Sequence, residues 1–336
     1  MALKTTTTGA VLGVVLALCP LGCGPGGRGS GQPGGEGGES GGGAEVPADE
    51  LGAPSTATRR LSRREVDRII MDVFGMEGVG STYLPQDVFA PFDTDAESKL
   101  PSAVFVDGHE ALAEHVATEV SRNAEHVGTL AGCGDANAAC LRQLVQRLGR
   151  RLWRRPLDED EVDALATAAS DLATEEGSFA VGVRVAIGAL LLSPEFIYVT
   201  QVGVEHDAGD RTLTPYELGT RLSLLILGTT PDDALLDRLD GDTLSDEALI
   251  ELAQMLLDQR AAQAADQLVD FHTMWLGVGA PRVPAEFAQA ASQETESLLR
   301  HVLVEQREPW SQLFLYPRTH VTAELAEFAG LPAPPG

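Results

Sequence analysis

The chain has 336 residues, 43% hydrophobic and 22% charged, and this composition is typical of a globular protein with one large domain or two smaller ones. Its formal net charge of −26 argues against sequence-independent binding to nucleic acid, because phosphate backbones repel so acidic a chain. Aromatic residues make up 5%, and no apolar run of about 18 residues follows the N-terminus. A multi-pass membrane protein and an aromatic-rich sugar-binding platform are therefore disfavoured.

The first residues have the features of an export signal. Lys4 supplies a short positive region, and Gly9 to Leu18 forms an apolar stretch that is too short for an uncleaved membrane anchor. A glycine precedes Cys23, and lipoprotein processing requires a small residue just before the modified cysteine. We predict a lipoprotein signal peptide over residues 1–22 and a lipid anchor, such as palmitate, at Cys23. Simple cleavage and secretion is the alternative.

Residues 23–58 are predicted to form a disordered, glycine-rich tether. Twelve of the twenty residues from Gly24 to Gly43 are glycine, so this segment cannot bury enough apolar surface to offset the entropy of ordering. A flexible coil of about 30 residues has a reach of roughly 30 Å, which would let a folded body stand off a membrane.

Beyond Arg59 the sequence has helical periodicity almost throughout, and no strand pattern is found. Ser62-Arg63-Arg64-Glu65 and Thr214-Pro215-Tyr216-Glu217 are capping-box sequences that predict helix starts. Thr230-Pro231-Asp232-Asp233 predicts a start of the same kind at Thr230, and Ser245 and Thr322 predict two more. Other helices are predicted near residues 109–127, 139–152, 158–175, 178–192, 260–276, 292–305 and 309–316.

The predicted fold is therefore all-α, with a multi-helix, bundle-like body after the signal peptide and the tether. Residues 178–192 are apolar nearly all round, which indicates a central buried helix. We divide the body into an N-terminal helical segment over residues 59–131, a disulfide loop and helical pair over 132–175, and a main helical domain over 176–336.

Cys133 and Cys140 are the two cysteines that remain after the leader. In an exported protein an isolated pair of this kind predicts a structural disulfide that closes a short loop. The redox alternative needs a C-x-x-C spacing, and a zinc site needs two further ligands nearby. The sequence supplies neither.

Segments spread over residues 59–331 resemble, in the same order, those of one family. The resembling residues are Arg60-Leu61-Ser62, Glu65, Asp72-Val73-Phe74-Gly75, Leu84-Pro85-Gln86-Asp87, Phe92-Asp93, Arg150-Arg151-Leu152-Trp153-Arg154-Arg155-Pro156-Leu157, Leu192-Ser193-Pro194-Glu195-Phe196-Ile197-Tyr198, Tyr216-Glu217-Leu218, Arg221-Leu222-Ser223, Pro231-Asp232-Asp233, Phe271, Trp275-Leu276 and Glu294-Thr295. By this resemblance the chain is identified as a member of the exported multi-domain family of planctomycetes and myxobacteria built from domain of unknown function fifteen-ninety-two and its neighbours. The resemblance implies an exported helical protein whose relatives often carry a cytochrome c domain, and it implies no assigned reaction.

The chain departs from the pattern of this family in several places. It contains no C-x-x-C-H, so we expect no covalent c-type haem, and no cofactor is predicted. Val66, Arg68 and Ile69 stand where the family usually has Tyr, Asn and Thr, and Leu224 to Leu227 replaces an aromatic run. Relatives continue beyond the position of Gly336 into further domains. We therefore expect a divergent member that is truncated at its C-terminus.

Two groups of titratable residues are candidates for a metal site. The spacing of Glu294, His301 and Glu305 places them on one helix face, where they could bind a metal or move a proton. A solvated helix side is the simpler interpretation. The segment 240–251 superficially matches a calcium loop, but it lacks the required glycine and is better explained by a turn and a helix N-cap. His272 is predicted to be a buried core histidine.

The densest basic cluster consists of Arg150, Arg151, Arg154 and Arg155. These side chains could clamp an anion or a carboxylate, because a guanidinium presents a planar fork of donors. The alternative is structural ion pairing with the acidic residues 158–161 or with carboxylates elsewhere in the chain.

The sequence favours an envelope-anchored lipoprotein, facing the periplasm or the cell surface from the outer membrane, that acts as a non-catalytic binding or scaffold module. Its expected partners are a membrane, through the lipid anchor, and an envelope protein, but not nucleic acid. The lack of a G-x-S-x-G elbow and of a haem motif favours a protein that is not an enzyme. The alternative is a component of an exported oxidoreductase or electron-transfer system, by association with cytochrome c-bearing relatives.

Overall fold

The computed structural model describes residues 58–88, 92–96, 100–205, 211–241, 243–277 and 284–332. Within these residues the chain forms fourteen α-helices and two short antiparallel strand pairs, which confirms the all-α prediction. The strands were not predicted, because a two-residue strand is too short to show an alternating pattern. The predicted signal peptide, Cys23 and the glycine-rich stretch lie outside the described residues.

The elements of the N-terminal half run from residue 59 to residue 199. They are β1 (Arg59–Arg60), α1 (Arg63–Phe74), α2 (Val79–Tyr83), α3 (Ala103–Ser121), α4 (Ala124–Ala131), α5 (Ala138–Leu152), α6 (Glu159–Glu175), α7 (Phe179–Leu192), α8 (Pro194–Ile197) and β2 (Tyr198–Val199).

The elements of the C-terminal half begin with a second strand pair. They are β3 (Val204–Glu205), β4 (Arg211–Thr212), α9 (Pro215–Leu227), α10 (Asp233–Leu236), α11 (Asp246–Gln259), α12 (Ala261–Trp275), α13 (Ala285–Leu299), a π-helical turn (Arg300–Glu305), a 3₁₀ turn (Trp310–Phe314) and α14 (Ala323–Phe328).

Capping boxes start two of the helices at the residues that the sequence predicts. The Ser62 hydroxyl accepts a hydrogen bond from the Glu65 amide at 3.1 Å, and the Glu65 carboxylate accepts one from the Ser62 amide at 2.8 Å. Thr214 and Glu217 make the same reciprocal pair at the start of α9. Each box satisfies two amides that have no partner inside the helix, so these sequences begin helices rather than loops.

Three predicted helix boundaries are wrong, and one of them is the start of the helix predicted over residues 292–305, which begins at Ala285. The N-cap of α10 is Asp232, whose carboxylate accepts from the Leu235 amide, whereas the hydroxyl of Thr230 donates to the Arg151 carbonyl. The helix predicted over residues 109–127 begins earlier, at Ala103, and a separate helix follows it, because the side chain of Asn123 caps a new start. At Thr230 and Asp232, two neighbouring side chains that can cap a helix compete for the same role.

The largest hydrophobic core lies in the N-terminal half. The predicted apolar helix is α7, which packs against α3, α5 and α6 at the centre of this core. Its buried residues include Ile187 and Leu190, and the rings of Phe74 and Phe196 are fully enclosed beside it. Arg184, the one charged residue of α7, lies at the surface and donates to Glu114 at 2.7 Å.

The C-terminal half has two smaller cores. One lies between α9, α10 and α11 and is built mainly from leucine, with Leu235 and Leu236 fully buried. The other joins α12 to the end of α13 and to the π-helical turn, and its central residues are Val269, Leu299 and Val302. None of the helices within the described residues is long and apolar enough to cross a membrane.

The first residues of the body are tied to the end of the N-terminal half. Strand β1 pairs with β2 in antiparallel register, with Arg59 opposite Val199 and Arg60 opposite Tyr198. The Leu61 amide extends the pairing by donating to the Ile197 carbonyl at 2.9 Å.

Ion pairs join the two halves of the molecule. Arg64 lies 2.8 Å from Asp270 on α12, and Arg68 donates to the same carboxylate. Arg260, next to the start of α12, binds Asp72 of α1 at 2.8 Å. These contacts hold α1 against α12, so the large core and the C-terminal helices have a defined relative position.

Candidate functional site

The four arginines of the predicted basic cluster point to different places. Arg150 reaches across to Asp237 and lies 3.9 Å from Asp233, while Arg155 makes a two-pronged contact with Glu161 at 2.8 Å. The fold therefore does not bring the four side chains together as one clamp. Arg154 and Arg151 differ from these two because no carboxylate pairs with them in the described residues.

Arg154 is a buried cation whose partners are backbone carbonyls. Its backbone adopts a positive φ of 61°, and its guanidinium donates to the carbonyls of Leu152, Glu195, Phe196 and Tyr198. Burial, together with the nearby charge of Arg59, lowers the pKa of Arg154 to about 10. The group remains charged at neutral pH and satisfies carbonyls where α5, α8 and β2 end.

Arg151 faces a small pocket together with Arg147, which lies one turn earlier on α5. The pocket has a volume of about 150 Å³. We call it the arginine pocket. Its polar lining residues are Thr129, Arg147, Arg151 and Asp233, and its apolar ones are Val73, Leu130 and Leu148.

Within the described residues no protein group pairs with the two guanidinium groups of the arginine pocket, and Arg147 is exposed to solvent. The Nε atom of Arg151 is buried without a hydrogen bond, and the side chain of Arg147 makes no hydrogen bond or ion pair there. Arg147 lies close against Gly132, where a Cβ atom would come 2.1 Å from its Nη1 atom. Gly132 also has a φ of +73°, so this position needs glycine for two reasons. Arg147 could not be singled out from the sequence, because one arginine on an amphipathic helix gives no signal of its own.

The predicted Glu294, His301 and Glu305 do not form one group. His301 lies 2.8 Å from Glu305 through its Nδ1 atom and 2.6 Å from the Tyr316 hydroxyl through Nε2. The ring of His320 packs edge-on against His301, with centroids 5.4 Å apart. Glu294 instead lies near His320, and burial raises the pKa of its carboxyl.

The turn that carries His301 is π-helical, a geometry found frequently at functional sites. The contact of His301 with Glu305 agrees with the helical spacing of the two residues, whereas its contact with the later Tyr316 could not be predicted from that spacing. Among the residues that the structure describes, no group of three or more His, Cys, Asp or Glu side chains is arranged to hold a metal ion.

The remaining candidates have structural partners. Ser245 caps α11, and the Asp240 carboxylate accepts a hydrogen bond from Tyr216, while Asp242 lies outside the described residues. His272 is buried and lies 2.8 Å from the Leu268 carbonyl through Nδ1. Burial lowers the pKa of His272, so the ring is held in its neutral form.

Cys133 and Cys140 are joined by a disulfide, as predicted. Cys140 is buried in the N-terminal core, and its amide is capped by the side chain of Asn137. The bond therefore ties the loop after α4 to the first turn of α5, and it is a structural element.

A group of exposed apolar side chains lies at the C-terminal end of α12 and in the 3₁₀ turn. We call it the aromatic surface and define it as Trp275, Leu276, Trp310, Phe314 and Leu315, which are 38–70% exposed. The rings of Trp275 and Trp310 meet edge to face with centroids 5.6 Å apart, and Trp310 meets Phe314 in the same way at 5.9 Å.

Further rings connect the aromatic surface to the interior. Trp275 contacts the buried His272, His272 contacts Phe271, and Phe271 stacks on Phe92 with centroids 5.2 Å apart. The surface residues are therefore anchored at their base. This surface could not be recognised from the sequence, because the aromatic content of the whole chain is low and its members are distant from one another in sequence.

Three family profiles match consecutive parts of the chain. PSD3: Protein of unknown function (DUF1587) matches residues 59–122, PSD5: Protein of unknown function (DUF1595) matches residues 140–201, and PSD4: Protein of unknown function (DUF1592) matches residues 213–331. No curated protein matches the chain, and no solved structure matches it either. The three matches, in this order, show that the chain belongs to a multi-domain family of proteins of unknown function that includes DUF1592.

Proposed function

We propose that the protein is an envelope lipoprotein, anchored through Cys23, whose helical body is a non-catalytic module that binds another protein. The observation that carries this proposal is the aromatic surface. Trp, Tyr and Phe are enriched in protein interfaces, and Trp is among the residue types most enriched in binding hot spots. The surface lies within the part of the chain that matches DUF1592, so the proposal assigns the binding role to that domain.

The rings of this surface are held in a defined geometry before any partner binds. Trp275 and Trp310 support each other edge to face, and His272 supports Trp275 from the interior. Edge-to-face pairs of this kind add about 0.5–1.5 kcal/mol to simple burial. Because the side chains are already ordered, less rotamer entropy is lost when a partner covers them.

The charge of the chain favours a basic protein as the partner. A net charge of −26 repels nucleic acid and anionic lipid surfaces, whereas it attracts a protein with a basic surface. The aromatic surface would supply the buried centre of such an interface, and the acidic character of the whole chain would accelerate the encounter.

Site-specific photocrosslinking in native envelope membranes tests this role. A photoreactive amino acid at Phe314 is expected to give a discrete adduct with another protein, which disappears when Trp275→Ala and Trp310→Ala are added. The matched control is the same photoreactive residue at Leu172, an exposed position on α6. Equal adducts at both positions, or none at Phe314, would contradict the proposal. An adduct with twice the mass of the chain would instead identify the partner as a second copy of this protein.

Two further measurements test the anchor and the alternative function. Partitioning into the detergent phase is expected to be lost in Cys23→Ser and kept in Cys19→Ser; the reverse result would place the lipid on Cys19. An electron-transfer component would show haem-type absorbance or bound metal in the purified full-length protein, and either finding would contradict the non-catalytic role.

A further inference from the structure

We infer that His301 is a positioning residue for the aromatic surface. Its imidazole binds the Tyr316 hydroxyl and so holds the 3₁₀ turn that carries Trp310 and Phe314. Glu305 in turn orients the imidazole. The inference rests on the proposed function, because it concerns how that surface is kept ready for a partner. Three features carry it: the weak packing of the turn, the reversal of the chain before it, and the hydrogen bonds of His301.

The 3₁₀ turn has little packing of its own. None of its five residues, Trp310–Phe314, is buried, although Leu313 packs against the small core around Val302. Its internal hydrogen bonds are those of one short turn, such as that from the Gln312 amide to the Pro309 carbonyl at 2.9 Å. Segments of 3₁₀ helix have poor hydrogen-bond geometry, and runs longer than about four residues are uncommon. The orientation of the turn is therefore set largely by contacts from outside it.

The chain reverses between His301 and the 3₁₀ turn. Arg307 has a left-handed backbone with a φ of 54°, which non-glycine residues rarely adopt, and the Glu308 amide donates to the Val302 carbonyl at 3.0 Å. The reversal brings the following residues back over the π-helical turn, so that Tyr316 reaches His301, which lies fifteen residues earlier. Local strain of this kind persists only where surrounding contacts determine the conformation. The hydrogen bond between the two side chains is such a contact.

Glu305 fixes which nitrogen of the imidazole faces Tyr316. An ionised carboxylate only accepts hydrogen bonds, so the Nδ1 atom of His301, 2.8 Å away, carries a proton. In the neutral ring Nε2 then accepts from the Tyr316 hydroxyl at 2.6 Å, and in the charged ring Nε2 donates to the same oxygen. The contact is therefore kept in both charge states of His301. Glu305 is 58% exposed, so its ion pair adds little stability, and its main effect is to orient the ring.

The hydrogen bond from His301 acts next to the rings that it positions. Tyr316 follows directly after Leu315, which belongs to the aromatic surface, whereas Trp310 lies at the other end of the turn and meets Trp275 edge to face. The turn is thus held from both ends, by an indole pair at one and by an imidazole at the other. Without the imidazole contact, the turn would depend mainly on one ring contact for its orientation.

Fluorine NMR of the full-length protein labelled with fluorotryptophan tests this inference. The chain has three tryptophans, and two of them, Trp275 and Trp310, report on the aromatic surface. Trp153 donates to the Leu190 carbonyl at 3.1 Å in the N-terminal half and reports on the fold as a whole. Replacement of each tryptophan by phenylalanine assigns the three signals.

Tyr316→Phe removes the hydroxyl and keeps the ring. It should shift or broaden the fluorine signal of Trp310, because loss of one hydrogen bond lowers the ratio of positioned to released turn by about two- to tenfold. His301→Asn retains a polar group near Glu305 but none near Tyr316, so it should give the same change. His301→Gln places an amide near the position of Nε2 and should restore most of the wild-type signal.

The matched control is Tyr83→Phe, which makes the same change in the N-terminal half. The ring of Tyr83 packs beside His115 with centroids 5.2 Å apart, and this variant should leave the signals of the aromatic surface unchanged. Wild-type signals in both Tyr316→Phe and His301→Asn would overturn the inference. A change of equal size at Trp153 would also contradict it, because a general loosening of the fold is not a positioning effect.

Photocrosslinking separates this inference from the proposed function. With the photoreactive residue at Phe314, adduct formation should fall in Tyr316→Phe and not in Tyr83→Phe. If the wild-type protein gives no adduct, the proposed function fails, whereas the fluorine signals still decide whether His301 positions the turn. Equal adducts in the wild type and in Tyr316→Phe, despite a changed Trp310 signal, would show that the partner does not need the positioned turn and would overturn the inference.

Discussion

The two halves of the molecule place their aromatic residues differently. In the N-terminal half, Phe74 and Phe196 lie at the centre of the large core and are 0–2% exposed. In the C-terminal half, Trp310 and Phe314 are 45% and 63% exposed, and the core beneath them is small. Both regions are helical, so helical content alone does not distinguish them. The comparison indicates that the first region provides most of the stability, while the second keeps apolar surface available for a partner.

The largest difference in the free energy of unfolding should come from removing one phenylalanine ring from each region. Phe196→Ala removes a fully buried ring and should lower the free energy of unfolding by about 3–5 kcal/mol. Phe314→Ala, its matched control, should change it by less than about 0.5 kcal/mol, because that ring is mostly exposed. Urea unfolding followed by circular dichroism measures both. Similar losses for the two variants would show that the aromatic surface is part of a core.

Breaking a buried ion pair in the N-terminal half should lower the free energy of unfolding more than breaking an exposed ion pair in the C-terminal half. Glu65 is buried, and although burial raises its pKa, the charge and hydrogen bonds of Arg59 outweigh this and hold the pKa of Glu65 below its usual value. Glu65→Gln should therefore cost about 2–4 kcal/mol, because it leaves a cation with reduced compensation. Asp266→Asn, which breaks the exposed pair with Arg300, should cost about 0–1 kcal/mol. Equal losses of unfolding free energy for the two variants, measured by urea unfolding, would contradict this difference between the halves.

The disulfide should stabilise the N-terminal half by an intermediate amount. Cys133→Ser/Cys140→Ser opens a loop of about eight residues and should cost roughly 2–3 kcal/mol, which corresponds to a few degrees in melting temperature. Adduct formation by the photoreactive residue at Phe314 should be unaffected, because that surface lies in the other half. Two free thiols in natively purified, non-reduced protein would contradict the bond itself.

The smallest effect is a pH dependence that both halves share. Burial lowers the pKa of His109 and of His272, so the unfolded chain binds these protons more readily than the folded one. The free energy of unfolding should therefore fall as pH drops below the usual histidine value of 6.5. The loss caused by carboxylates with lowered pKa, such as Glu65, comes below about 4.5.

His109→Gln isolates the contribution of the N-terminal half. An amide can donate to the Leu191 carbonyl, which His109 contacts at 3.0 Å through Nε2, and it does not titrate. The variant should show a flatter dependence of the unfolding free energy on pH between about 6.5 and 5. An unchanged slope in a pH series of urea titrations would assign the effect to other groups.

Helices with strong periodicity and clear flanking signals were predictable from the sequence. The predictions over residues 139–152, 158–175 and 178–192 agree with α5, α6 and α7 to within one residue. Predictions failed where two caps compete, as at Thr230 and Asp232, because the outcome depends on a tertiary hydrogen bond to Arg151. No local signal in the sequence distinguishes one possible cap from the other.

The candidate site was predictable only in part, because partners in space decide what an arginine does. The sequence does not distinguish the four arginines of the basic cluster from one another. In the fold, Arg150 and Arg155 pair with carboxylates, Arg154 donates to backbone carbonyls, and the Nε of Arg151 has no partner. Likewise, His301 was singled out through Glu305, but its contact with Tyr316 depends on the return of the following segment of chain, which has no local signal in the sequence.

The pairing of β1 with β2 has a consequence for the order of folding. The N-terminus emerges first during synthesis, but the strand that pairs with Arg59–Arg60 lies at the end of the DUF1595 match. Closing so long a loop costs more entropy than forming the local helical contacts, so this pairing should form late. The first matched segment therefore cannot complete its structure until Tyr198 and Val199 have been made, and the DUF1587 and DUF1595 segments form one folding unit.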